Sequence, residues 1–470
     1  MSTRTQIIED GARGETRAML RLAWPLATSM LAIILLETSD VLMIARLGER
    51  ELAAGALGFN LFILFLLFGV GASSAVSALS AQALGAGDEA GVRRTFRQGL
   101  WLALLTALPC VAGLSQGERI LIALGQDPDL SMLAQSYLDY MAWVPVPIFL
   151  ILVLRNTMAA LECVRTPMLI ICSLIPLNVL TNWIFMFGGL GLVAPMGLPG
   201  AGLSTLVIEG AGLIVLTLYL VRARRFRRFE FLKNLHRPDW PRFKSLARVG
   251  GPAGGLAVLE HAMFLSAALL MGWIGVRELA AYHIAIQIAS ILFTAPFALA
   301  QAATIRIGQA AGAQDLAAVR ARGRTAFGLT VLVMGAAGIG LWLGAEELMR
   351  LFVGGAQENG AELIALGASY LMIAAIFQLV DGLQIVACGA LRGLNDTVAA
   401  FWLGLVGYIA AGSGFAYLFA FPLGWGGAGV WWGLAVGLAL VATLALTRFH
   451  LETRDETRAF RRLLKEGAQA

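Results

Sequence analysis

Gly48-Glu49-Arg50-Glu51-Leu52-Ala53-Ala54 returns as Gly275-Val276-Arg277-Glu278-Leu279-Ala280-Ala281, 227 residues further along the chain. The same offset carries Gln82-Ala83-x-Gly85-Ala86-x-Asp88-x-Ala90-x-Val92-Arg93 onto Gln309-Ala310-x-Gly312-Ala313-x-Asp315-x-Ala317-x-Val319-Arg320. It also carries Pro25 onto Pro252, and Gly197-x-x-Gly200-Ala201-Gly202 onto Gly424-x-x-Gly427-Ala428-Gly429. Solenoid repeats run about 20–50 residues, so a period this long marks two copies of a whole lobe.

Of the 470 residues, 58% are hydrophobic and 14% charged, with a mean hydropathy of +0.76. Soluble domains sit near 45–50% apolar and about 25% charged, so the chain reads as a membrane protein. A helix crossing about 30 Å of hydrocarbon needs about 20 apolar residues. Such runs occur over 20–46, 52–84, 95–116, 132–160, 167–190, 199–221, 249–275, 281–311, 322–344, 361–391, 398–420 and 427–447. The expected fold is an all-α integral membrane protein of twelve transmembrane helices in two six-helix lobes. An even number of spans per copy starts both copies on the same membrane face, which makes the lobes parallel repeats. The expected organisation is an N-terminal lobe over 1–221, a basic cytoplasmic linker over 222–248, a C-terminal lobe over 249–447 and a cytoplasmic tail over 448–470. The first run is too long for a signal-peptide core and is expected to remain as a helix.

Of the 35 Lys and Arg residues, Arg46, Arg50, Arg119, Arg277 and Arg350 fall on the outer side when the N-terminus is inside, and Arg155 falls within a span. The others fall on the cytoplasmic side, as the positive-inside rule requires. The net charge of +5 is therefore a topology signal, and nucleic acid is not an expected partner. The location expected is the bacterial cytoplasmic (inner) membrane, with both termini cytoplasmic. Cys110, Cys163, Cys172 and Cys388 lie in apolar stretches without CxxC spacing, which argues against a disulfide framework or a zinc site. Gly424-Trp425-Gly426-Gly427-Ala428-Gly429 follows no strand and precedes no Lys-Ser/Thr, so it is not a nucleotide loop. No HExxH or GxSxG stands in a usable context, and an embedded enzyme lacks its tools.

A charge at bilayer depth costs roughly 2.5–3.5 kcal/mol on insertion scales, so one that persists there usually faces protein or water and has work to do. The candidates are Asp40 in span one, Glu260 in span seven and Asp381 in span ten. Glu37 shares a helix face with Asp40. The repeat places Ile33 opposite Glu260 and Ala267 opposite Asp40, so the carboxylates belong to one copy each and the lobes are specialised. Asn60 and Gln287 do correspond, and are read as cavity-lining amides. Gln378, Gln384 and Phe377 share the Asp381 face, while Asn178 and Asn182 share a face of span five. Asp381 and Glu260 together would take up a proton and release it to an incoming cation.

Asp381-Gly382-Leu383-Gln384-Ile385-Val386-Ala387-Cys388-Gly389-Ala390-Leu391-Arg392-Gly393, followed by Asn395-Asp396-Thr397, resembles the span-ten signature of multidrug and toxic compound extrusion (MATE) transporters. Pro176-Leu177-Asn178 with Asn182-Trp183-Ile184-Phe185 is similar to that family's span five, and Glu260 resembles its NorM-type branch. The resemblance implies a secondary active antiporter, not an enzyme, that exports cationic or amphiphilic drugs by alternating access in exchange for protons or sodium. It implies a cation site at Glu260 and Asp381, with Asp40 the acid of the first lobe. Sodium-using NorM-type members carry a tyrosine where this chain has Phe377, which tilts the expectation toward protons; sodium at Glu260 and Asp381 stays open. No cofactor beyond the coupling ion is expected, and the partners are the drugs and membrane lipid, with the chain a monomer. The alternative reading is a flippase for lipids or lipid-linked precursors with a similar helix arrangement.

Overall fold

The computed structural model describes residues 2–191, 193–353, 360–456 and 460, with side chains from residue 14 onward. The tail expected over 448–470 lies outside the described residues from 457 on, Phe460 apart. Among the described residues there is no strand. The first copy forms α1 (Ser2–Ile44), α2 (Glu49–Gly85), α3 (Glu89–Leu114), α4 (Gly117–Ala123), α5 (Pro128–Met141), α6 (Pro145–Ala160), α7 (Arg165–Phe187) and α8 (Leu198–Arg222). The second forms α9 (Trp240–Ile274), α10 (Val276–Gly312), α11 (Leu316–Val353), α12 (Gly360–Gly393), α13 (Thr397–Gly404), α14 (Gly414–Ala420) and α15 (Gly426–Glu452).

Among the described residues eleven helical segments are long and apolar enough to cross a membrane, and the bent pair of α5 with α6, counted as one span, brings the number to twelve. The apolar run expected over 132–160 is this pair, bent by 44° at the break. Pro145 lacks the amide that would continue α5, and its ring crowds the preceding turn. Pro176, by contrast, sits inside an unbroken α7. Span eleven is also irregular, with a nine-residue π-helix, Leu405–Ser413, between α13 and α14.

Packing divides the chain into two compact units, Thr28–Gly254 and Met1–Ala27 with Gly255–Gln469. The exchange points, at Ala27 in α1 and Gly254 in α9, are again 227 residues apart, each two residues past the matched Pro25 and Pro252. The start of α1 is fastened into the second unit by Glu15, which accepts from Arg306 Nε at 2.8 Å and lies 3.6 Å from Arg322 Nε.

In the first unit the basic segment is pinned to α3. Phe226, Phe229 and Phe231 are buried, and Phe231 meets Phe96 with ring centroids 4.8 Å apart. Arg97, Gln98 and Trp101 donate to the carbonyls of Asn234, Arg237 and Leu235, and Arg242 donates to Thr95 Oγ1 at 2.8 Å. Lys233, hydrogen-bonded at 2.8 Å, holds the Glu230 carboxyl below its ordinary range, helped by Arg93.

The second matched motif serves helix starts. Asp88 accepts from Gly91 N at 2.7 Å and Asp315 from Ala318 N at 2.9 Å, capping α3 and α11 alike. Preceding residues Gly87 and Gln314 both adopt positive φ, 73° and 56°. In the second unit α12 packs against α10, α11 and α15. Gly389 makes a close approach to a neighbouring backbone, since a Cβ there would lie 2.6 Å from Ala300 O, and Thr304 Oγ1 donates to its carbonyl at 2.8 Å.

Candidate functional site

In the second unit, α12 turns a polar face into the core. Gln384 is fully buried, and its Nε2 donates to Glu260 Oε1 at 2.7 Å and to Asp381 Oδ1 at 3.3 Å. One amide thus bridges two carboxylates from α9 and α12, three of the residues singled out from sequence. Tyr408, at 0% exposure, donates to Gln384 Oε1 at 2.5 Å from the π-helix. π-Helical turns are rare and gather at functional sites; here the wider turn delivers a tyrosine. Arg392 interacts electrostatically with Glu260 from the end of α12, and its buried Nε has no hydrogen-bond partner among the described residues.

Gln378, one turn from Asp381, donates to Ala289 O at 2.8 Å, while its buried Oε1 has no partner among the described residues. Phe377 is 1% exposed and wedged edge-on between Phe264 and Trp431, with centroids 6.1 and 5.4 Å away. It belongs to the packed core and offers the carboxylates no polar atom.

In the first unit, Asn182 Nδ2 donates to Asp40 Oδ1 at 2.5 Å and to Asn178 Oδ1 at 3.2 Å. Ser39 Oγ reaches the same Asn178 oxygen at 3.1 Å. Glu37 is close enough to Asp40 for the two carboxylates to interact. Both asparagines are 0% exposed, and Asn182 Oδ1 is left without a hydrogen-bond partner among the described residues. Asn60 and Gln287, by contrast, are exposed at their corresponding positions on α2 and α10 and join neither network.

Sequence reading missed several members. Glu209 in α8 interacts with Arg155 of α6 and, more weakly, with Asp40 and Glu37. The criterion that found Asp40, an acid inside an apolar run, would have found Glu209 too, and Arg155 already stood out as the one basic residue within a span. Arg392 sits inside the quoted span-ten signature. Nothing in an apolar run such as 405–413 singles out Tyr408. Among the described residues no three His, Cys, Asp or Glu side chains gather to hold a metal.

Two part-buried carboxylate–amide networks, one in each unit of a duplicated helical chain, define a polytopic membrane protein with polar sites inside its spans. A family model described as MatE matches residues 25–184 and again 252–418, and the chain belongs to this family of MATE transporters. The two matches begin at Pro25 and Pro252, the repeat offset once more. A protein of Mesorhizobium japonicum named "Probable multidrug resistance protein NorM" is 42% identical over 444 residues, covering 93% of this chain and 94% of its own. A namesake from Bradyrhizobium diazoefficiens is 41% identical over 436 residues, with 93% of each chain covered. A eukaryotic MATE transporter has the same fold at TM-score 0.83 and 20% identity, over 96% of this chain and 98% of its own. So does a multidrug resistance MATE family transporter solved in an outward-facing conformation, at TM-score 0.83 and 20% identity over 93% and 96%.

Proposed function

We propose that this protein is a secondary active multidrug antiporter of the bacterial cytoplasmic membrane, both termini inside, that exports cationic or amphiphilic organic compounds by alternating access. The observation that carries the coupling is the Gln384 bridge between Glu260 and Asp381. Two carboxylates fixed by one amide outnumber the cation beside them, Arg392, and the uncompensated charge is expensive inside a span. A proton or sodium ion entering from outside compensates it, and in exchange drug is released. Phe377 presents only a ring to this site, which favours the proton over an oxygen-coordinated sodium. Inward proton movement is also driven by the membrane potential, about 2.3 kcal/mol per charge per 100 mV.

The names of the rhizobial relatives support drugs as the cargo. Acidic rather than basic side chains dominate both networks, which suits a cationic cargo and not the diphosphate headgroup that a flippase would grip. The test is efflux of a fluorescent organic cation from proteoliposomes under separately imposed proton and sodium gradients. An inside-acid or inside-basic pH step should drive transport in opposite directions in sodium-free buffer. Transport that answers only to sodium would transfer the coupling to sodium, and labelled-lipid translocation without organic-cation movement would overturn the reading.

A further inference from the structure

Outside both carboxylate networks, the cytoplasmic ends of α11 and α15 enclose a cavity of about 600 Å3, with Arg320, Arg324 and Phe327 on one wall and Leu446, His450 and Arg454 on the other. Its chemistry is graded along the helix axes. On α11, Arg320, Arg324, Phe327 and Val331 follow one another at helical spacing, so cations at the cytoplasmic end give way to apolar groups deeper in. The far wall repeats the order in reverse chain direction, from Arg454 through His450 to Leu446. Beyond Phe327, Val331 and Leu332 are 48% and 68% exposed, a continuous apolar track into the bilayer.

The three arginines have different duties. Arg320 is a strut, since its Nε and Nη2 donate to the carbonyls of Thr453 and Arg454 at 2.7 and 2.9 Å. Those carbonyls are among the acceptors that a helix leaves open at its C-terminal end. Arg324 and the Arg454 side chain make no hydrogen bond or ion pair with any described residue. Glu452, the nearest acid on α15, is taken by Arg448 at 2.8 Å. Two uncommitted guanidinium groups therefore face a cavity whose inner wall is hydrocarbon.

We propose that this cavity binds an acidic phospholipid of the cytoplasmic leaflet. The phosphate sits between Arg324 and Arg454, where the planar guanidinium can donate two parallel hydrogen bonds, and an acyl chain lies along Phe327, Val331 and Leu446. Charge complementarity selects the occupant, because anionic lipid concentrates at the cytoplasmic face and basic residues beside a span attract it.

Native mass spectrometry of the purified full-length protein tests this, with phosphatidylglycerol and phosphatidylcholine of matched chains as probes. The wild type should retain phosphatidylglycerol in preference. R324Q/R454Q should weaken that retention about 25-fold, roughly fivefold per surface cation, and leave phosphatidylcholine unchanged. Neither side chain is hydrogen-bonded or ion-paired to a described residue, so thermal unfolding without acidic lipid should match the wild type. The single variants R324Q and R454Q, each about fivefold weaker, carry the test should the double variant not fold. Undiminished phosphatidylglycerol retention in the variants would overturn the proposal, as would equal displacement of the lipid by inorganic phosphate, which would assign the cavity to a soluble anion. No transport assay enters, so the outcome is independent of the antiport reading.

Discussion

Tyr408 donates its hydroxyl to the Gln384 carbonyl oxygen at 2.5 Å, and that bond decides which way the amide faces. With Oε1 engaged, Nε2 must point at the carboxylates, where it meets Glu260 and Asp381. Y408F should leave the amide free to turn, and a buried carbonyl left without its donor costs about 1–3 kcal/mol. The variant is expected to insert normally, melt lower in detergent and exchange more slowly in proteoliposomes, with D381N losing exchange altogether. Wild-type exchange in Y408F would show that the amide needs no such fixing.

Asn182 is the donor that Asp40 depends on. Removing one partner of a hydrogen bond and leaving the other unsatisfied inside the protein costs about 1–3 kcal/mol, so N182L should lower the thermal midpoint markedly. D40L/N182L, which removes both polar partners, should recover much of the loss. A double variant less stable than N182L would mean that Asp40 is held mainly by something else.

Arg155 and Glu209 carry opposite charges deep in the first unit. R155Q leaves Glu209 without its cation, whereas R155Q/E209Q removes one charge of each sign. A double-mutant cycle read by thermal unfolding should therefore return a favourable coupling, of about 0.5–3 kcal/mol for groups in one network. Strict additivity would show that the two act independently.

Close packing around α12 makes its own prediction. G389V drives side-chain atoms into the Ala300 carbonyl and should destabilise by about 1–3 kcal/mol, as overpacking does. At Gly335 in α11 a Cβ meets nothing within 4 Å, and G335A should be neutral or gain up to about 1 kcal/mol from helix propensity. Thermal unfolding of the two variants side by side distinguishes them.

The architecture was legible because lipid imposes simple rules: apolar length marks a span, and an acid within one marks a site. Asp40, Glu260 and Asp381 satisfied both, and the structure gives each an amide partner. What stayed hidden depends on backbone irregularity or on partners far apart in sequence. The break before Pro145 divides a run whose hydropathy is continuous, and Tyr408 reaches Gln384 only because nine residues adopt a π-helix. Asn60 and Gln287 correspond in the two copies and both are exposed, outside the two carboxylate networks. Phe377, one residue from Gln378, turns into an aromatic stack.

The exchange of α1 at Ala27 bears on how the chain is made. Its first turns leave the ribosome long before the surface they settle on exists, since Glu15 waits for Arg306, 291 residues away. Until then that segment has no home, and a contact this distant closes late. Translation cannot complete the second copy's bundle from its own residues alone, so a fragment ending at the basic segment would keep an orphaned leading arm, and the separately synthesised remainder would lack a helix end that only the beginning of the gene encodes.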